Sequence, residues 1–108
     1  MNPIQLEQSL VSLSRRIVDG QDDARLRQAL IDEFGQIENA FVVHWLPEQC
    51  EEIVTVLIPP DSVAVVEVPR DLGMQPVVQR YSYKEWKRGR RFSVEIRRKL
   101  AIIEEWMR

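Results

Sequence analysis

The period of the apolar positions changes twice along this chain. Leu6, Leu10, Leu13 and Ile17 recur at spacings of four, three and four, the stripe of an amphipathic helix, and Val11 and Val18 broaden it. Asn2 is placed to cap that helix, Pro3 suits its first turn, and Gln5 stands where a capping box puts the reciprocal acceptor. The pattern ends near Asp19 and Gly20. A second helix starts at a cap on Asp22, buries Leu26, Ala29, Leu30 and Phe34, and ends at Gly35 in the left-handed conformation. Two short helices joined by a few residues make an αα-hairpin, which must hide its stripes against something else.

From residue 40 onward the pattern becomes that of strands. AFVVHWL, residues 40–46, predicts a strand that Pro47 interrupts. The stretch EIVTVLIPPDSVAVVEV, residues 52–68, holds two β-branched runs, 53–58 and 63–68, around a turn of Pro59, Pro60, Asp61 and Ser62. Both alternating faces of this hairpin are rich in Val, Ile and Leu, which predicts a central place with neighbours on each side and helices on one or both faces of the sheet. A shorter and more polar run, 76–81, opens on a proline and carries Gln79 and Arg80, as an edge strand does. The connections are too short for parallel crossovers, so the strands should form an antiparallel meander.

Ser82 and Glu85 match the capping-box pattern for a short helix through Trp86 that stops at Gly89. Ser93 caps another, with Ile96, Leu100, Ile103 and Met107 as its stripe and Ile102 and Trp106 beside it. Glu95 with Lys99, and Glu104 with Arg108, are pairs four residues apart on that helix. The expected architecture is one α+β domain over residues 1–108. It is a four-stranded, mainly antiparallel meander sheet with an N-terminal αα-hairpin and C-terminal helices packed on it, in the order ααββββαα.

Composition adds little to that picture: 44% hydrophobic and 30% charged residues are ordinary for a globular domain. No apolar run approaches the roughly 20 residues of a membrane span. The opening MNPIQLEQSL has neither the basic start nor the apolar run of a signal peptide. One cysteine, Cys50, cannot form an internal disulfide and is expected as a small half-buried residue in a turn. The expected compartment is the cytoplasm.

Charge changes the picture more. The net charge of −2 hides an asymmetry: residues 1–78 carry five basic and thirteen acidic side chains, and residues 79–108 carry ten basic and four acidic. Halves of opposite sign attract each other within a chain, pair head to tail between copies, or face different partners.

The residue types that catalysis needs are sparse. The one histidine, His44, lies inside the first expected strand and is expected as a partly buried sheet residue. Ser9, Ser12, Ser14, Ser62, Ser82 and Ser93 sit on helix surfaces, in turns or at caps, and no pattern sets a nucleophile beside an oriented base. One His and one Cys cannot form a zinc shell, and there is neither a calcium loop nor a glycine-rich phosphate loop. Asp22 with Asp23, and Glu51 with Glu52, are adjacent pairs whose side chains diverge. The expectation is a protein that is not an enzyme and needs no metal or cofactor.

Two segments suggest binding instead. In residues 80–99, RYSYKEWKRGRRFSVEIRRK, aromatic and basic residues interleave, the chemistry of a surface that neutralises phosphates and stacks on bases. Lys84, Trp86, Lys87, Arg88, Arg90 and Arg91 are the candidate nucleic-acid contacts. Against this stands a sequence pI of about 5.4, whereas nucleic-acid domains are typically basic. The acidic half offers Asp22, Asp23, Asp32, Glu33, Glu48, Glu51 and Glu52 as a face for a basic macromolecule, in the manner of an inhibitor or immunity-like binder. The leading expectation is therefore a small interaction protein with that acidic face, and the alternative is a nucleic-acid-binding module. The first strand, with Phe41 and Trp45, is a candidate sheet edge, and covering it by a second copy makes a homodimer a further expectation.

Overall fold

The computed structural model describes residues 2–19 and 24–107. Its elements run α1 (Pro3–Asp19), α2 (Ala24–Phe34), β1 (Phe41–Pro47), β2 (Glu51–Ile58), β3 (Ser62–Pro69), β4 (Val77–Ser82), α3 (Tyr83–Lys87) and α4 (Val94–Trp106). The four strands form one antiparallel sheet in the order β1-β2-β3-β4, the meander and the ααββββαα order that the sequence predicts. No helix among the described residues is long and apolar enough to cross a membrane.

The helix ends follow local chemistry. The Gln5 backbone N–H donates to Asn2 Oδ1 at 2.8 Å, and the Asn2 backbone N–H donates to Gln5 Oε1 at 3.1 Å, a reciprocal box that satisfies two free donors. Ser82 and Ser93 accept from the backbone N–H groups of Glu85 and Ile96, each at 3.2 Å. Gly35 and Gly89 take φ values of +78° and +71°, a conformation that costs other residues a clash at Cβ, and so end α2 and α3. The expected Asp22 cap and the Glu104–Arg108 pair lie outside the described residues. Glu95 and Lys99 do approach, at 3.9 Å.

Two hydrophobic clusters sandwich the sheet. On one face, Leu26 and Leu30 of α2 pack on Val42, Val54, Val56, Ala64 and Val66. On the other, Trp86 of α3 and Leu100 and Ile103 of α4 pack on Val43, Leu57 and Val63. The hairpin β2–β3 is covered from both sides: residues 54–58 are all buried in sequence. Full burial of each such Val or Leu is worth about 1.5–3 kcal/mol.

Helix α1 lies along β1, the sheet's first edge, and serves both layers. Its Leu10 belongs to the α3–α4 cluster, whereas Leu13 and Ile17 meet the α2 cluster. A helix seated on an edge buries a narrow arc, so Val11 does not broaden the core stripe as its spacing suggests but stays 42% exposed. Cys50 also departs from expectation: it is exposed, in a connection that gives its carbonyl to the Arg70 N–H.

Candidate functional site

Strand register places three rows of side chains across the sheet face that carries α3 and α4. Phe41, Leu57, Val63 and Tyr81 form one row, and His44, Thr55, Val65 and Gln79 the next. Leu46, Ile53, Glu67 and Val77 form the third. Trp86, Leu100 and Ile103 cover the first row. The third row is partly bare, with Leu46 and Val77 exposed. His44, Thr55 and Val65 of the middle row floor a cleft of about 420 Å³ between the open sheet and the segment that joins α3 to α4.

His44 reaches this cleft because of a β-bulge. Val42 pairs with Val56, yet His44 pairs with Thr55, so Val43 is an extra residue in β1. Strict alternation would send His44 to the α2 face; the inserted residue returns it to the side of Val43. The imidazole is therefore exposed at the cleft rather than half-buried in the sheet, which corrects the expectation from sequence. Lys99 of α4 donates through Nζ to the Val43 carbonyl at 3.4 Å.

The opposite wall comes from the turn after α3. Gly89 reverses the chain, and Phe92 returns to pack on Trp86 at a ring separation of 5.1 Å. The Arg90 guanidinium lies 5.6 Å from the Trp86 ring and 6.0 Å from the Tyr81 ring. Cation–π contacts of this exposed kind are worth about 0.5–1 kcal/mol each, enough to bias where the guanidinium sits. Arg90 and Arg91 thus face His44 and Thr55 across the cleft. Positive groups on one wall and hydroxyl and imidazole on the other suit an anion such as a phosphate or carboxylate.

The structure divides the six basic-aromatic candidates. Arg90 and Arg91 line the cleft together with Trp86, and Lys84 and Arg88 are exposed but do not line it. Trp86 is only 6% exposed, so most of its surface belongs to the core. Lys87 is bound internally: its Nζ lies 2.5 Å from Glu104 Oε1, which also accepts from the Tyr83 hydroxyl. Burial, with the Glu104 contact second, pushes the Tyr83 phenol well above its ordinary range. Among the described residues, no carboxylate comes within salt-bridge reach of Arg88, Arg90, Arg91, Arg97 or Arg98. Among the described residues, no salt bridge joins the basic half to the acidic half.

The described acidic candidates fall in separate places. Asp22 and Asp23 lie outside the described residues. Asp32 and Glu33 border a hollow between α2 and β4 that also contains Arg25, and Asp32 accepts from Gln28 at 2.8 Å. Glu48, Glu51 and Glu52 sit where β1 passes into β2, and there Arg70 donates to the Glu48 carbonyl and stands 3.9 Å from Glu52.

Sequence reasoning found Arg90, Arg91 and Trp86 but not their meeting with His44 and Thr55. The missing signal was the bulge, which depends on how β2 pairs and leaves no mark in the order of residues in β1. No group of three or more metal-ligating side chains gathers among the described residues, and none of them hydrogen-bonds the His44 imidazole. In comparisons with known proteins, the chain matches no family model, no curated protein and no solved structure.

Proposed function

We propose that this protein is a non-catalytic binding module for single-stranded nucleic acid, with the strand running over the α3–α4 corner and a phosphate entering the His44 cleft. The observation that carries the reading is the set of five arginines at 88, 90, 91, 97 and 98, none answered by a carboxylate among the described residues. Guanidinium groups without such a partner, gathered in this one segment, are ready to exchange counterions for phosphates. The bare strip with Leu46, Ile53 and Val77 gives bases an apolar surface beside that charge, though Glu67 stands in the same row. A cleft floored by sheet and walled by one turn admits a single strand more readily than a duplex.

Support for a binding rather than a chemical role comes from His44. An imidazole that no other group among the described residues orients lacks part of the arrangement that nucleophilic hydrolysis uses. The reading in which an acidic face takes a basic protein has less behind it, because its described residues are dispersed and Glu52 is already near Arg70. One unpaired cysteine suits a reducing compartment such as the cytoplasm.

The test is fluorescence anisotropy of a labelled single-stranded oligonucleotide over a range of salt. Binding at low salt should weaken linearly on a double-logarithmic plot, and Arg90→Ser with Arg91→Ser should lower the slope by about 0.7 for each phosphate that is no longer neutralised. An oligonucleotide that stays free at low ionic strength, or binding that ignores both changes, would overturn the reading.

A further inference from the structure

The outward side of α1 carries a second stripe. Ile4, Glu7, Val11, Arg15 and Val18 follow one another at spacings of three, four, four and three, so they share one side of the helix. The core stripe of Leu6, Leu10 and Ile17 points elsewhere, into the sheet clusters. Ile4 is 66% exposed and Val11 42%, while Val18 is half-buried, its inner side against the α2 cluster and the rest open. Beside Val11, the end of α4 adds Trp106, 40% exposed, whose ring rests 5.5 Å from Phe41. Glu7, Val11, Arg15 and Trp106 border one shallow groove.

The order of this stripe is symmetric in chemistry about Val11. Reversed, it places Ile4 on Val18, Glu7 on Arg15 and Val11 on itself. A two-fold axis through an antiparallel pair of helices imposes that same reversal, since residue i meets residue j and j meets i. From this match we infer that the protein forms a two-fold homodimer in which α1 packs antiparallel on α1 of a second copy. In that dimer Glu7 of each chain meets Arg15 of the other, twice over, and Val11 sits at the axis. The apolar ends, Ile4 on Val18, close the pairing over a helix about 25 Å long. Neither Glu7 nor Arg15 has a partner among the described residues of its own chain, so both charges are free to pair across the interface. Trp106 widens the apolar area on each flank. Glu7, Val11 and Arg15 lie on α1 and none of them lines the arginine cleft, so dimerisation through them does not depend on whether that cleft binds nucleic acid.

Sedimentation equilibrium from micromolar to millimolar protein tests it. The wild type should approach twice the 12.7 kDa chain mass. Glu7→Arg alone, or Arg15→Glu alone, sets like charges against each other at two symmetric points and should raise the dissociation constant about tenfold or more. Each of these is a surface change, and unchanged circular dichroism confirms the fold. The Glu7→Arg and Arg15→Glu double variant should dimerise again, and the two single variants mixed together should form a heterodimer. A monomeric wild type at millimolar concentration would overturn the inference. So would single variants that dimerise like the wild type, or a mixture and a double variant that fail to recover.

Discussion

Lys99 reaches across from α4 to the carbonyl of Val43, the one residue that the β1–β2 ladder leaves over. Its side chain is only 15% exposed, so the amino group gives up much of its hydration to make that contact. The bulge frees a carbonyl, the lysine answers it, and His44 is held on the cleft side as a consequence. Lys99→Met keeps the apolar stem and removes the donor. The expected result is a loss of about 1 kcal/mol in urea denaturation, as for a net hydrogen bond, with weaker oligonucleotide binding because His44 is less well aimed. Unchanged stability together with unchanged affinity would dissociate the lysine from the bulge.

The two arginine pairs should not be equivalent. Arg90 and Arg91 line the cleft, whereas Arg98 borders Leu6, Val94 and Glu95 on another flank of α4. Arg97→Ser with Arg98→Ser should therefore cost less oligonucleotide affinity than the same changes at 90 and 91, although the net charge falls equally. Equal losses from the two pairs would mean that only total charge matters and the cleft does not.

The core makes a contrast within a single helix. Leu10 is fully buried in the cluster with Val43, Leu57 and Trp86, and its neighbour Val11 faces the other way. Leu10→Ala should cost about 2–5 kcal/mol through lost transfer energy and a residual cavity. Val11→Ala should change the stability of a single chain by less than about 0.5 kcal/mol. Comparable losses in chemical denaturation would place α1 differently on the sheet.

These elements show where sequence was enough. The hairpin β2–β3 was legible because a run that is β-branched on both faces has no place except between two layers. The Asn2–Gln5 box, the Ser82 and Ser93 caps, the left-handed turn at Gly35 and the stop at Gly89 were legible because each is settled within four residues. Val11 was not: helical spacing gives the direction of a side chain but not the width of the surface beneath it. A helix on a sheet edge buries less of its circumference than one lying across the face. The bulge at Val43 was not legible either, since it exists only in the pairing of β1 with β2. His44 and Thr55 come from different strands, and nothing local links them.

The caps can be weighed against one another. Ser93 opens the longer helix, α4, which carries Leu100 and Ile103 into the core. Ser82 closes β4 and opens the five-residue α3, which sets Trp86. Ser93→Ala and Ser82→Ala should each cost about 1 kcal/mol, and replacement by Asp at either site should restore most of it. If alanine is neutral at both positions in thermal denaturation, the caps do not determine where these helices start.

Tyr83 links stability to alkaline pH. Its phenol is raised above the ordinary value of 10.0, first by burial and then by the hydrogen bond to Glu104. In the unfolded chain the phenol ionises near its ordinary value, whereas in the folded protein it keeps its proton to higher pH. Between those two points the folded state binds more protons, so its stability falls as pH rises. The contribution is whole below about pH 10 and is lost progressively above it. Tyr83→Phe removes the ionisable group and with it this part of the alkaline decline. Urea midpoints of the wild type and the variant, measured from neutral to strongly alkaline pH, should therefore converge as the pH climbs. Parallel curves would show that the phenol titrates alike in both states and that Glu104 does not hold its proton in place.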